Sequence, residues 1–154
     1  MSIIYRQVEV VIATQTTLYN ANRTLHAEAS FPSPDPTREW QVDCVSLQLI
    51  VGSGGSDFTL MFYRGATGLA RNETGFPSAM VDLGGLRVDG VVRLNSSDSV
   101  TSSNAGRRVY SVTPPRRISI SSENGVYKFQ TFVGGALTLS VATVKLVIGL
   151  VSGG

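Results

Sequence analysis

Trp40-Gln-Val-Asp-Cys-Val-Ser-Leu-Gln-Leu-Ile-Val51 alternates apolar and polar residues with a period of two. Successive side chains of a strand point to opposite faces, so this is a half-buried β-strand and not a helix. Its apolar parity begins at Trp40, Val42 and Cys44, then slips by one to Val45, Leu47, Leu49 and Val51. A one-residue slip inside a continuous run marks a β-bulge or a bend at a sheet corner. The same parity places the lone Cys44 indoors as an inert thiol.

The alternation continues in both directions. Val8, Val10 and Ile12 alternate with Gln7, Glu9 and Val11 in a first strand of roughly residues 3 to 17. Leu25, Ala27, Ala29 and Phe31 alternate with Thr24, His26, Glu28 and Ser30, which predicts a half-buried strand with His26 facing solvent. Pro32, Pro34 and Pro36 forbid a ladder before Trp40. Beyond it, Gly52 to Asp57 reads as a loop, and Phe58, Leu60 and Phe62 open another strand. Arg64 to Ser78 is a long connection. Asp89-Gly90 and Asn124-Gly125 both carry the signal of a primed hairpin turn. Asn95 to Gly106 is a polar loop, and Pro114-Pro115 separates two short strands. In the tail, Leu137, Leu139 and Val141 share one parity and Val144, Leu146, Ile148 and Leu150 the other, a second bulge signature.

Composition agrees. Val, Ile and Thr number 19, 7 and 13, whereas Lys, Glu and Gln number only 2, 5 and 5. That excludes a helical bundle and disfavours an α/β chain. The 154 residues form one domain, 1–154, with no repeat and no linker. Nine or ten strands with one polar face each predict an all-β fold: a two-sheet antiparallel β-sandwich, a jelly roll. An immunoglobulin-like sandwich fits less well, because the chain is half as long again as that fold needs. The apolar tail from Val133 to Val151 includes Lys145 and alternates, so it reads as strand and not as a membrane span. The first residues have no charged segment leading into an apolar one, which predicts the absence of a secretory signal.

No motif carries chemistry. One histidine and one cysteine cannot form a zinc tetrad, and no lysine follows the Gly52-Ser-Gly-Gly-Ser run as a phosphate cradle needs. Asp57, Asp89 and Asp98 could lend oxygens to a calcium ion, but lack the spacing of a calcium loop. Three Asn-x-Ser/Thr triplets, at Asn22, Asn72 and Asn95, fall in predicted loops, where about one is expected by chance; without a secretory signal they read as coincidence. The expectation is no enzyme and no cofactor.

Charge carries more information. Net charge is +2, with 11 Arg against 2 Lys. Arginine is enriched at interfaces and lysine depleted. Arg107, Arg108, Arg116 and Arg117 lie in one acid-free segment. They are the candidate site residues. Two partners could answer them: carboxylates of an adjacent subunit such as Asp82, Asp89 or Asp98, which is favoured, or nucleic acid, the minority reading.

Taken whole, residues 3 to 151 resemble the single jelly-roll proteins of icosahedral virus shells: an early long strand, Pro- and Gly-rich loops and a closing apolar strand. The resemblance implies a capsid subunit located in the virion, made in the host cytoplasm. It would assemble into rings with itself, a pentamer being favoured, and with other capsid proteins. Genome-condensing coats of that group carry a basic N-terminal arm, which this chain lacks, so a vertex (penton-type) or minor shell protein is implied. Gly125-Val-Tyr-Lys-Phe129 is similar to the Gly-x-Tyr-x-Phe strand of C1q and tumour-necrosis-factor-like jelly rolls. The alternative is accordingly a lectin-like or receptor-binding β-sandwich module, such as a viral or phage fibre head.

The fold reading is open to a direct check. Far-ultraviolet circular dichroism should be β-dominated with very little helix, and a helical content near the globular average of about a third would contradict it.

Overall fold

The computed structural model describes residues 2–74, 86–101 and 106–153. The strands are, in chain order, β1 (Ile4–Ala13), β2 (Arg23–Thr24), β3 (Ala29–Pro32), β4 (Trp40–Gly54), β5 (Phe58–Arg64), β6 (Arg87–Leu94), β7 (Ser99–Thr101), β8 (Arg107–Val112), β9 (Ile118–Ile120), β10 (Val126–Val133), β11 (Leu137–Leu139) and β12 (Thr143–Ser152). The one helical turn among the described residues is a 3-10 turn at Ser96–Asp98.

One sheet has the order β1-β12-β4-β8-β7, with β9 and β11 also paired to β4. The other has the order β10-β5-β6, with β2 and β3 both paired to β10. Every pairing is antiparallel. Number the eight principal strands β1, β3, β4, β5, β6, β8, β10 and β12 from one to eight. The sheets then read 1-8-3-6 and 2-7-4-5. That is the double Greek key of a jelly roll, as the alternation predicted.

The parity rule places the core between the sheets. Val45, Leu47 and Leu49 of β4 face Phe58, Leu60 and Phe62 of β5, joined by Val144, Leu146 and Ile148 of β12 and Phe129 of β10. Tyr110 meets Phe58 edge-on at 5.2 Å between ring centroids. The expected slip in β4 is present. Gly149 lies opposite Cys44 and Leu150 opposite Val42, so Asp43 is the extra residue of a bulge. The bulge turns Cys44 outward, and its thiol is exposed, not buried. A side chain at Gly149 would collide with Cys44 Sγ, so the bulge needs a glycine across from it.

Three other expectations are corrected. Asp89-Gly90 is no hairpin turn: β6 runs straight through it, and the register to β5 shifts between Phe62 and Tyr63. The Asp-Gly pair instead forms a bulge. Asp89 Oδ2 accepts the Ser121 backbone N–H at 2.9 Å, and Ile118 fills the space where a Gly90 side chain would stand. The tail slip is no bulge within one strand. It marks the turn at Ser140–Ala142 between β11 and β12, which therefore choose their faces independently. Residues 24 to 31 do not form one strand either. Thr24, the last residue of β2, is followed by Leu25 and His26 in the gap before β3, and all three are buried. By contrast, Asn124-Gly125 is a tight turn with both φ angles positive (53° and 78°), closed by reciprocal Glu123–Val126 hydrogen bonds.

β5 departs from the one-polar-face pattern, because six of its seven residues are buried. Met61 and Tyr63 point away from the main core and join Phe132, Leu86 and Leu69 in a second cluster. The long connection after Arg64 folds back over this sheet. Thr67 Oγ1 donates to Gln130 Oε1 (2.6 Å), Gln130 Nε2 donates to Leu69 O (3.1 Å), and the Thr67 N–H donates to Glu28 Oε1 (2.6 Å).

The Gly90 bulge yields a double-mutant test. Gly90→Ala forces Ile118 aside and should cost about 1–3 kcal/mol, the usual penalty of overpacking. In an Ile118→Ala background the same change should cost much less, measured by urea denaturation. Strictly additive effects would contradict the contact.

Candidate functional site

The outward face of the β1-β12-β4-β8 sheet follows from the register. Glu9, Val147, Ser46 and Ser111 form one cross-strand row, and Val11, Lys145, Gln48 and Val109 the next. Gln7, Gly149 and Cys44 form a third. These side chains are mostly uncharged. The charged pair among them, Lys145 Nζ and Glu9 Oε2, is internally neutralised at 3.3 Å. Ser111 Oγ donates to Ser46 Oγ at 3.4 Å. Around Cys44, Ser46, Ser111, Thr113, Val147 and Gly149 the face sinks into a shallow depression of about 290 Å³. Single-sided alternation makes this face, and the sequence pattern already contained it.

The four arginines do not cluster, and they do not all lie on this face: Arg107 has the outward parity, whereas Arg108 shares the parity of buried Leu49 and reaches towards Gly55. Arg107 and Arg108 pair with Ile50 and Leu49 near one end of β4. Arg116 and Arg117 precede β9, whose Ile118 pairs with Val42 near the other end. At about 3.3 Å per residue, the two doublets are on the order of 20 Å apart. Arg117 Nε binds Asp43 Oδ1 at 3.0 Å within the same chain. Asp43 is the bulged residue of β4, so the bulge itself presents the carboxylate. This acid was missed in the sequence because it is remote in the chain. Among the described residues, Arg107, Arg108 and Arg116 have no carboxylate within 4 Å.

Of the acids proposed to answer them, Asp89 is already engaged. It is buried beside Arg64, with Nε to Oδ1 at 3.4 Å. Asp57, considered only as a calcium ligand, accepts the Ser96 N–H through Oδ1 at 2.6 Å. Asp82, and the side chain of Asp98, lie outside the described residues. Among the described residues no group of three or more His, Cys, Asp or Glu is placed to hold a metal ion. No helix there is long and apolar enough to cross a membrane.

His26 overturns its sequence reading most sharply. It is fully buried. Nδ1–H donates to Ala27 O at 2.6 Å, which leaves Nε2 as acceptor for Thr131 Oγ1–H (2.8 Å) and the Thr131 N–H (3.1 Å). The imidazole thus replaces a backbone carbonyl in the β10 ladder, and this interrupts the strand between β2 and β3. Nothing local in the sequence signals it, because the partner lies 105 residues away. Burial pushes the His26 pKa down to about 4, since protonation would place an unpaired cation indoors and remove the acceptor. Buried hydroxyls behave alike. Tyr19, bonded to Leu25 O at 2.7 Å, and Tyr63, bonded to Glu28 at 2.8 Å, have raised pKa values, chiefly from burial.

A second concavity, about 870 Å³, opens at one end of the sandwich. Thr37, Arg38, Gln41, Ser119 and Ser121 line it above the buried rings of Trp40 and Tyr127.

No protein family matches the chain, and no curated protein matches it. Solved structures do. The structure of tomato aspermy virus is similar over 97% of this chain and 76% of that one, at 12% identity and a TM-score of 0.41. The unassembled VP1 pentamer of KI polyomavirus is similar over 95% and 93%, at 12% identity and 0.37. A subunit of the Bacillus endospore appendages, a family of disulfide-linked pili, is similar over 98% and 88%, at 12% identity and 0.33. These likenesses concern the fold alone.

Burial of neutral His26 sets a pH dependence. The unfolded chain takes up a proton near pH 6.5 and the folded chain only near 4. Stability is therefore fully present above about pH 6.5 and is lost as pH falls towards 4, by up to about 3 kcal/mol. Urea unfolding at intervals from pH 7.5 to 4.5 should trace this decline. A flat profile across that window would refute the neutral buried imidazole.

Proposed function

We propose that this protein is a structural subunit of a virus shell, of the vertex (penton) or minor-shell type. It acts by self-assembly without catalysis, and it resides in the virion alongside other capsid proteins after synthesis in the host cytoplasm. The observation that carries the reading is the jelly-roll strand order, 1-8-3-6 against 2-7-4-5, because that architecture makes a rigid wedge whose function lies on its sides. The outer face of the β1-β12-β4-β8 sheet supports it. A surface of mostly uncharged side chains, with Val11, Val109 and Val147 among them and its one charged pair self-neutralised, has the low charge of an interface core. A closed ring is the simplest way for one chain to satisfy such a lateral surface, and a pentamer suits a vertex.

Arg107, Arg108 and Arg116 meet carboxylates of a neighbouring subunit in this reading, whereas Arg117 is held in place by Asp43. The concavity beneath Thr37 and Arg38 favours the second reading, a lectin-like or receptor-binding module, because its hydroxyl, amide and charged groups suit a polar ligand such as a glycan.

Light scattering at tens of micromolar should report a closed oligomer. A monomer with no particles would overturn the shell reading in favour of the binding module. Replacing Arg116 and Arg117 with Ala should weaken the oligomer and leave nucleic-acid affinity negligible. The minority reading expects the reverse: intact oligomers, lost binding and a shallower salt dependence, because fewer counterions are released.

A further inference from the structure

β1 ends its sheet. It pairs with β12 over all ten of its residues without a break in register, and among the described residues no strand pairs with its other edge. Proteins normally blunt such an edge with proline, lysine, a bulge or a short strand. Ile4-Tyr-Arg-Gln-Val-Glu-Val-Val-Ile-Ala13 has no proline, lysine or bulge, and its charges are Arg6 and Glu9 alone. It also exposes apolar side chains on the outward face: Tyr5 is 59% and Val11 71% exposed. The backbone groups of alternate residues point away from β12 and need partners.

We propose that the partner is a second copy of this chain, its β1 antiparallel to the first about a twofold axis through Val8. The inference rests on the reading of the protein as a self-assembling subunit and specifies a contact between rings, because a twofold contact cannot close a ring of five. Register follows from three constraints. Only residues of one parity offer backbone groups to the free edge, so paired residue numbers must sum to an even value. An even sum also keeps the outward faces of the two sheets continuous, which two sandwiches side by side require. Charge then selects among the possible sums.

A sum of 12 sets Arg6 against Arg6, and a sum of 18 sets Glu9 against Glu9; like charges directly opposite are destabilising. A sum of 14 overlaps only residues 4–10 and sets Tyr5 against Glu9. A sum of 16 overlaps residues 4–12 and opposes no like charges. It places Tyr5 opposite Val11, Ile4 opposite Ile12, and the Gln7 amide opposite the Glu9 carboxylate that Lys145 already balances. The two exposed apolar side chains of each strand thereby cover those of the other. The merged sheet runs β8-β4-β12-β1 and on through the same four strands of the partner in reverse order.

The test uses disulfide trapping in a Cys44→Ser background, which removes the exposed native thiol. Directly opposed residues have Cα atoms about 4.5–5.5 Å apart, inside the range of about 4.4–6.8 Å that disulfides span. Two copies of Tyr5 would lie six residues apart along the ladder, about 20 Å, and cannot be bridged. A mixture of Tyr5→Cys and Val11→Cys proteins should therefore cross-link under mild oxidation at least tenfold faster than either alone. A mixture of Gln7→Cys and Val11→Cys should not. Val11→Lys, a change at an exposed position, should lower the mass seen by light scattering while leaving the circular dichroism spectrum intact. If oligomers form but the Tyr5/Val11 mixture does not cross-link, or the Gln7/Val11 mixture links equally fast, the β1 contact is wrong and the shell reading stands. If the protein scatters as a monomer and no mixture cross-links, both fall.

Discussion

β4 hydrogen-bonds to β12 on one side and to β8 and β9 on the other, with β11 continuing the pairing at its far end. A fifteen-residue strand can serve so many neighbours only if it bends, because a straight one would carry its later residues out of the sandwich. The Asp43 bulge and a second irregularity near Gly52 supply the bend. The first exposes Cys44, requires Gly149 across the ladder, and delivers Asp43 to Arg117. The second lies within the pairing to β11, whose Thr138 and Leu139 stand opposite Ser53 and Val51. The faces of one sheet and the position of one arginine follow from how a single strand twists.

The two sheets solve their outer faces differently. The β10-β5-β6 sheet is covered by its own chain: the connection after Arg64 folds over it and is held by Gln130, Thr67 and Glu28. Those bonds are buried or half-buried, so each lost partner would leave a desolvated polar group. His26 belongs to the same arrangement, since Gln130 Nε2 also donates to its backbone carbonyl at 3.0 Å. The β1-β12-β4-β8 sheet has no such cover among the described residues. Its outward side chains are mostly uncharged, Lys145 and Glu9 offset each other, and its terminal strand leaves one edge unpaired among the described residues. A sandwich that covers one sheet and leaves the other flat has one surface suited to neighbours, which gives the assembly reading a defined location.

The sequence by itself determined the all-β class, the two-sheet sandwich, most strands and the slip in β4, because alternation is a local property that burial of one face enforces. It also contained the tight Asn124-Gly125 turn, whose positive φ angles these residues tolerate. What only the tertiary structure decided depends on groups remote in the chain. Asp89-Gly90 is a bulge because Ser121 and Arg64 take its carboxylate and Ile118 takes its space. His26 is buried because Thr131, 105 residues on, offers two donors to one ring nitrogen. The arginine segment is contiguous in sequence yet divided in space, since a strand and a Pro-Pro corner carry its two doublets to opposite ends of β4. Periodicity reports which face a residue occupies. It cannot report what stands opposite, because a buried partner is chosen by the packing of sheets and not by the neighbours on the chain.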